Sequence, residues 1–245
     1  MAIVTPSSGQ SSSAINGQST TYLKGNVLQQ VHSAPDTLVD TVIQNVLREF
    51  YTMSTGWREI IGPYPLSINF DTVQLNPVDQ YSNILIVLDA WLFPVPSNSN
   101  TRQFLMPSPR KIVGTDKGQP SAYWLETPDI MHLYPVPNIS YGQVLYVYAS
   151  MKPVINTTQL PPIATEHHFD ALVSGALARL YRMPDKPWTD KEAAMFYTKE
   201  FRRGISLWRD FANRGHSGKI DTPMIFPPFA GKYSQGSQRG ARSSF

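Results

Sequence analysis

TEHHFDALVSGALARLYRMPDKPWTDKEAAMFYTKEFRRGISLWRDFANR, the stretch at residues 165–214, predicts the fold more clearly than any other part of the chain. Its first half carries apolar residues at steps of three and four, the spacing of one helix face: Phe169, Leu172, Val173, Ala176, Leu177 and Leu180. Pro184 and Pro187 interrupt this pattern, because proline has no backbone N–H and restricts the residue before it. We therefore expect a helix from Thr165 that ends before these prolines.

A second helix is predicted directly after the prolines. Thr189 and Glu192 stand three positions apart, as in a capping box, and favour a helix start. Gly215 is suited to a C-terminal cap. The predicted apolar stripe comprises Ala193, Phe196, Tyr197, Phe201, Leu207, Trp208 and Phe211. Residues 156–214 are thus predicted to form an antiparallel helical hairpin.

Another amphipathic helix is predicted within residues 33–56. Ser33 is placed to cap it, Pro35 suits its first turn, and Asp36 suits the positive end of the helix dipole. Its apolar residues recur at helical spacing: Leu38, Val39, Val42, Ile43, Val46, Leu47 and Phe50. This face is wide enough to pack on the hairpin, so both are expected to form one helical layer.

Short strand-like runs separated by prolines fill residues 57–155. Their aromatic and β-branched residues suit a pleated surface, and the prolines confine each run to a short length. The candidate strands are residues 67–70, 73–75, 84–92, 111–113, 122–125, 130–134 and 144–148. The sequence therefore predicts an α+β fold, an amphipathic helix bundle with an inserted antiparallel β-sandwich-like region and extended termini.

Both ends of the chain are predicted to depend on partners. Residues 1–32 are polar, with Lys24 as their only Lys, Arg, Asp or Glu, and are expected to form a flexible N-terminal arm. Residues 215–245 interleave apolar and basic side chains and are expected to form an extended basic C-terminal strap that orders on another protein. The candidate partner-binding residues are Lys219, Ile225, Phe226, Phe229, Lys232, Tyr233, Arg239 and Arg242.

The net charge of +3 is unevenly divided along the chain. Residues 1–178 contain 8 Lys/Arg and 12 Asp/Glu, whereas residues 179–245 contain 13 and 6. The basic part can meet phosphate or an acidic protein surface. Absence of cysteine excludes disulfides and thiolate metal sites, and no apolar run approaches the roughly 20 residues of a membrane helix. We expect a soluble protein that is not secreted.

The sequence shows no set of residues with the types and spacing of a known catalytic site. His167 and His168 lack a third ligand at suitable spacing, so one packed ring and one solvated ring are favoured over a metal site. Four arginines lie in the second helix and at its end, Arg202, Arg203, Arg209 and Arg214. They could bind phosphate, but a charged exterior or a subunit interface is favoured over nucleic-acid recognition. We expect neither enzyme activity nor a cofactor.

The order of these parts resembles the head-to-tail adaptor (connector, head-completion) proteins of tailed phages, especially short-tailed ones. The resemblance lies in the helix at residues 38–50, the β-rich segments at 133–137 and 144–148, and the start of the hairpin at 166–172. It implies a virion structural protein that forms a homo-oligomeric ring, typically of twelve copies, between the portal and the tail tube or nozzle.

The resemblance also implies particular contacts. A C-terminal extension in such adaptors commonly reaches the portal protein, and the β-rich insert offers a contact for tail proteins or tail fibres. The ring would surround the path of the genome, with DNA contacts that are independent of sequence. Assembly in the host bacterial cytoplasm and a final place in the virion neck follow from the same resemblance.

A second hypothesis is a β-sandwich module that recognises a glycan or a host surface from a helical base. Tyrosines and tryptophans around residues 81–91 and 123–148 motivate it, because sugars stack on exposed aromatic faces. The sequence cannot separate such exposed aromatics from buried ones. An enzyme, with His167, His168 and nearby acids around a metal, is the least favoured hypothesis.

Overall fold

The fold is described from a computed structural model, which covers residues 18–77, 79–94, 102–112, 114–138, 143–155, 157–160, 164 and 166–215. Helices α1 (Thr21–Gln30), α2 (Asp36–Ser54), α3 (Phe169–Tyr181) and α4 (Lys191–Asn213) pack against one another. Helices α3 and α4 form the predicted hairpin, and α2 packs on both of them. The helical layer is thus built from segments on both sides of the β-rich region.

The strands are β1 (Gln18–Ser19), β2 (Arg58–Pro65), β3 (Thr72–Gln74), β4 (Ser82–Pro94), β5 (Gln103–Phe104), β6 (Met106–Pro107), β7 (Ala122–Thr127), β8 (Ile130–Tyr134), β9 (Gln143–Pro153) and β10 (Gln159–Leu160). One four-stranded sheet has the order β2-β9-β4-β5 and another has the order β3-β8-β7-β6. All pairs are antiparallel except the short pair of β6 and β7. A two-stranded sheet joins β1 to β10.

Strand β9 is the centre of the first sheet. Its residues Leu145, Val147, Ala149 and Met151 alternate along one face and are buried. The register with β2 shifts beside Gly62, whose φ of 121° lies outside the range that other residues readily adopt. A Cβ there would lie 2.8 Å from the Leu145 backbone oxygen, so glycine is required at this bulge.

The buried apolar residues of the helices and of both large sheets form one continuous cluster. Phe50 and Tyr51 of α2 lie in it beside Trp57, which leads into β2. Met131 and Leu133 of β8 belong to the same cluster. The β-rich region therefore shares its core with the helical layer.

The structure confirms the α+β fold and corrects several local predictions. The expected flexible arm extended to residue 32, but Thr21–Gln30 forms α1 because Leu23 and Val27 find apolar partners on α2 and α3. Residues 67–70 and the described residues 111–112 are not strands, whereas β2 was missed. The limits of the predicted domains remain predictions.

The N-terminal caps of α2 and α4 were both predicted at the wrong residue. Helix α2 begins after Pro35, whose extended backbone occupies the cap position, and no side chain caps it. Asp190 caps α4 by accepting hydrogen bonds from the Glu192 and Ala193 N–H groups, while the Thr189 hydroxyl donates to the Met183 backbone oxygen. A carboxylate at this position also suits the helix dipole.

Candidate interaction surfaces of the helical layer

The predicted partner-binding residues of the strap lie outside the described residues. They are Lys219, Ile225, Phe226, Phe229, Lys232, Tyr233, Arg239 and Arg242. The structure describes the chain only as far as Gly215, which adopts a φ of 62° after the end of α4 and donates its N–H to the Ala212 backbone oxygen. The role of these residues in binding stays a prediction.

The histidine pair lies at the start of α3 and has one buried and one exposed ring, as the sequence predicts. His168 is fully buried, with Nδ1 3.2 Å from the Tyr51 hydroxyl oxygen and its ring packed on Phe50 and Trp208. Burial raises the pKa of the Tyr51 hydroxyl far above its ordinary value, so it stays protonated. Within the described residues, no group of three His, Asp or Glu side chains could hold a metal ion.

An arginine groove opens between α2, α3 and α4, with a volume of about 550 Å³. We define it by Arg179 of α3, Arg182 directly after α3, Arg202 and Arg209 of α4, and Glu49 of α2. Arg179 pairs with Glu49, the acidic side chain in the groove wall, while Arg209 donates to the Met53 backbone oxygen and Arg182 to the Thr198 hydroxyl at 3.3 Å. Four guanidinium groups against one carboxylate make this groove suited to carboxylate or phosphate groups.

The sequence predicted only half of this cationic set. Arg202 and Arg209 lie in the groove, but Arg203 lies on another face of α4, with 79% of its side chain exposed and Glu200 3.9 Å away. Arg179 and Arg182 were missed, although their spacing of three residues places them on one helix face. This spacing does not show which helices pack against one another, because that depends on the tertiary structure.

Three large apolar side chains on the outer side of α4 are exposed, Phe196, Leu207 and Phe211. Their exposed fractions are 59%, 50% and 36%. The sequence placed all three in the buried stripe, and that prediction was wrong. The buried residues of α4 are instead Ala194, Phe201, Ile205 and Ala212, because this narrower face meets α2 and α3.

The C-terminal end of α4 is held against the first sheet by Arg58 of β2. The guanidinium group donates to the Ala212 backbone oxygen at 2.7 Å and to Asn213 Oδ1 at 2.8 Å, and its Nε–H donates to the Thr55 backbone oxygen at 3.0 Å. The Ala212 oxygen, which also accepts from the Gly215 N–H, thus gains a second donor from the sheet. The point from which residues 216–245 depart is thereby fixed on the folded body.

The second sheet carries a polar cluster around His132, whose ring stacks on Trp124 with a centroid distance of 4.0 Å. His132 Nδ1 lies 3.1 Å from Asp71 Oδ2, and Nε2 lies 3.2 Å from Glu126 Oε2. Partial burial acts to raise the pKa of Asp71, but hydrogen bonds from His132 and Thr72 outweigh it and leave that pKa below its ordinary value.

The tryptophans give the glycan hypothesis no support. Trp57 and Trp91 are 5% and 8% exposed, Trp124 is covered by His132, and the remaining two, Trp188 and Trp208, are only half-exposed. A sugar would need a wide, uncovered aromatic face, and no tryptophan provides one.

Within the described part of the chain, the helical layer thus carries an arginine groove, and α4 carries exposed apolar side chains. The sequence model of the SU10 adaptor protein family matches residues 15–220, well over half of the chain. The chain belongs to this family of phage head-to-tail adaptors, which is a structural family. No curated protein sequence matches the chain. None of the described helices combines the length and apolar character that a bilayer span requires.

Proposed function

We propose that the protein is a subunit of the adaptor ring in the virion neck, where it joins the portal protein to the tail tube or nozzle protein around the path of the genome. The family match over residues 15–220 is the observation that carries this proposal, because it spans every described helix and both large sheets. A dodecamer, assembled in the host bacterial cytoplasm, is the expected form.

The strap at residues 216–245 is the proposed contact with the portal. Its support is the position of Gly215, at the end of a helix that Arg58 fixes to the sheet, and the interleaved apolar and basic residues that follow. Such a segment can cover a large area of a partner, at the cost of the conformational entropy lost on ordering.

Passage of DNA through a ring requires a wide channel and no reading of bases. Any contact of the arginine groove with DNA would therefore go to phosphates and weaken steeply as salt is raised. An acidic protein segment is the other ligand that the charge of the arginine groove fits.

The two large sheets are the proposed contact with tail proteins or tail fibres.

Native mass spectrometry of the full chain with purified portal protein tests the proposal. We expect a complex with many copies of the chain on each portal ring. A chain that stays monomeric with the portal at micromolar concentration contradicts the proposed function.

A truncation after Arg214 tests the strap separately. The fold should be retained, since the described core ends at α4, while portal binding should weaken by about tenfold or more because the apolar anchors are lost. Circular dichroism and a binding titration measure the two effects. Undiminished portal binding by the truncated chain would remove the strap from the proposal.

A further inference from the structure

The arginine groove follows the helices that form it and has the length of a short peptide. Helix α4 lines it from Thr198 to Arg209, which is about 16 Å of helix at 1.5 Å per residue. An extended chain advances by about 3.3 Å per residue, so the groove takes roughly five residues of such a chain. Its volume of about 550 Å³ is within the range of binding pockets in proteins.

The groove has an apolar floor beneath its charged walls. Ala178, Phe201 and Ile205 line it and are each 6% exposed, so they lie at its base. Met53 of α2, 47% exposed, adds an apolar side chain to the wall. A ligand that fills the groove therefore needs apolar atoms as well as negative charge.

Three of the four arginines keep hydrogen-bond donors for a ligand. Arg179 is paired with Glu49, the acidic side chain of the groove. Arg202 is exposed, and its side chain has neither a hydrogen bond nor an ion pair with any described residue. Arg182 and Arg209 use only one or two of the five N–H donors of a guanidinium group within the chain. The groove is therefore able to bind two or more carboxylates at once.

The segments of this chain that the structure does not describe lack the charge to fill the groove. Asp221 is their only Asp or Glu. It lies in residues 216–245, which also contain four Lys or Arg side chains. No such segment supplies two neighbouring acidic side chains, so the matching ligand comes from another molecule.

We propose that the arginine groove binds an acidic segment of a partner protein, with at least two carboxylate side chains within about five residues. The inference rests on the proposed adaptor function, which brings the chain against other proteins, and adds the chemistry of one contact. A peptide offers carboxylates to the arginines and apolar side chains to the floor. Duplex DNA offers phosphates, but it is a wide rod that touches the rim of such a groove and leaves the floor unfilled.

Charge reversal at Arg202 tests the site, with Arg203 as the matched control. The two residues are adjacent and exposed, and only Arg202 lies in the groove. The probe is a fluorescent peptide, GEAEAEG, whose glutamates share one face of an extended chain, and its counterpart GQAQAQG. The wild-type chain should bind the glutamate peptide at least about tenfold more tightly than the glutamine peptide.

Arg202→Glu should weaken binding of the glutamate peptide by about tenfold or more, whereas Arg203→Glu should change it by less than about twofold. Fluorescence anisotropy of the full chain at constant ionic strength measures both effects, because salt screens exposed charges. Far-UV circular dichroism and the urea midpoint of both variants should match the wild type, which shows that the loss is not one of folding.

Filling the groove without a change of charge gives a second test. Ser206 is exposed and lines the groove, whereas Leu207 is exposed on the outer side of α4. Ser206→Trp should weaken peptide binding by about tenfold, because the indole occupies the space of the ligand, and Leu207→Trp should not. A ligand that touches only the arginine rim would be indifferent to both substitutions.

The outcomes separate the groove from the adaptor function. Equal binding of the two peptides, or equal effects of Arg202→Glu and Arg203→Glu, overturns the acidic-segment site. A labelled DNA duplex that loses affinity with Arg202→Glu, while the glutamate peptide does not bind, also overturns it and makes the groove a phosphate site. These titrations contain no portal, so their failure leaves the adaptor function standing. A chain that binds the glutamate peptide in the groove but forms no complex with the portal overturns the adaptor function alone.

Discussion

Substitution of Gly204 by alanine tests how closely α3 and α4 approach in the hairpin. Gly204 of α4 lies directly against Ala171 of α3. A Cβ added to Gly204 would lie 2.5 Å from the Ala171 Cβ, well inside the roughly 3.5–4.0 Å at which two carbon atoms make contact. Because neither methyl group can rotate away, the helices would have to separate by on the order of 1 Å to admit it.

The expected magnitude follows from two opposing effects. Alanine in place of glycine favours a helix by about 1 kcal/mol, whereas overpacking of this kind costs about 3 kcal/mol. We expect Gly204→Ala to lower the free energy of unfolding by about 2 kcal/mol and the melting temperature by about 4–8 °C. Gly25→Ala in α1 is the control, since a Cβ there meets no atom within 4 Å and should stabilise by up to about 1 kcal/mol.

A double variant shows whether the loss comes from this one contact. Ala171→Gly alone should destabilise by about 1 kcal/mol, because glycine is a poor helix former. Combined with Gly204→Ala, it removes the clashing atom, and the double variant should unfold within about 0.5 kcal/mol of the wild type. Urea denaturation followed by circular dichroism measures all four proteins. A double variant that is less stable than both single variants would refute the close approach of the helices.

Two further predictions concern the attachment of α4 and the second sheet. Arg58→Ala should destabilise by about 1–3 kcal/mol and speed amide exchange in the last turn of α4, whereas exposed Arg203→Ala should stay within about 0.5 kcal/mol of the wild type. The ionised Asp71 carboxylate contributes stability above its ordinary pKa of 3.8, and this contribution is lost as the pH falls through its lower folded-state pKa. The stability difference between wild type and Asp71→Asn should therefore be constant above about pH 5 and narrow as the pH falls through 3.8 and below.

Each of these two predictions has an outcome that contradicts it. Equal amide exchange in wild type and Arg58→Ala would mean that the two hydrogen bonds from Arg58 to Ala212 and Asn213 do not hold the helix end. If the stability difference between wild type and Asp71→Asn stays constant or widens on acidification, the pKa of Asp71 is not lowered in the folded state.

Much of the fold could be predicted because the strongest sequence patterns are local. The helical spacing that ends at Phe50 and the proline break at Pro184 predict α2 and the hairpin, and the structure contains both. Helix α1 was missed because its sequence is largely polar and only Leu23 and Val27 are buried in it. Its stability comes from tertiary contacts, which no local pattern contains.

The interaction surfaces were harder to predict for the same reason. Phe196 and Phe201 look alike in the sequence, yet one is 59% exposed and the other 6%. Their difference depends on how wide a face of α4 the other helices cover. Arg179 joins Arg202 in one groove only because α3 and α4 pack side by side, so residues far apart in the sequence come to share a site.

Electron cryomicroscopy of the virion tests the adaptor function most directly. Density that fits the helical layer and both large sheets should repeat as a ring around the channel, between the portal and the tail. A neck in which other proteins occupy that position, or a particle in which this chain is present only as isolated copies away from the portal, would contradict the adaptor function.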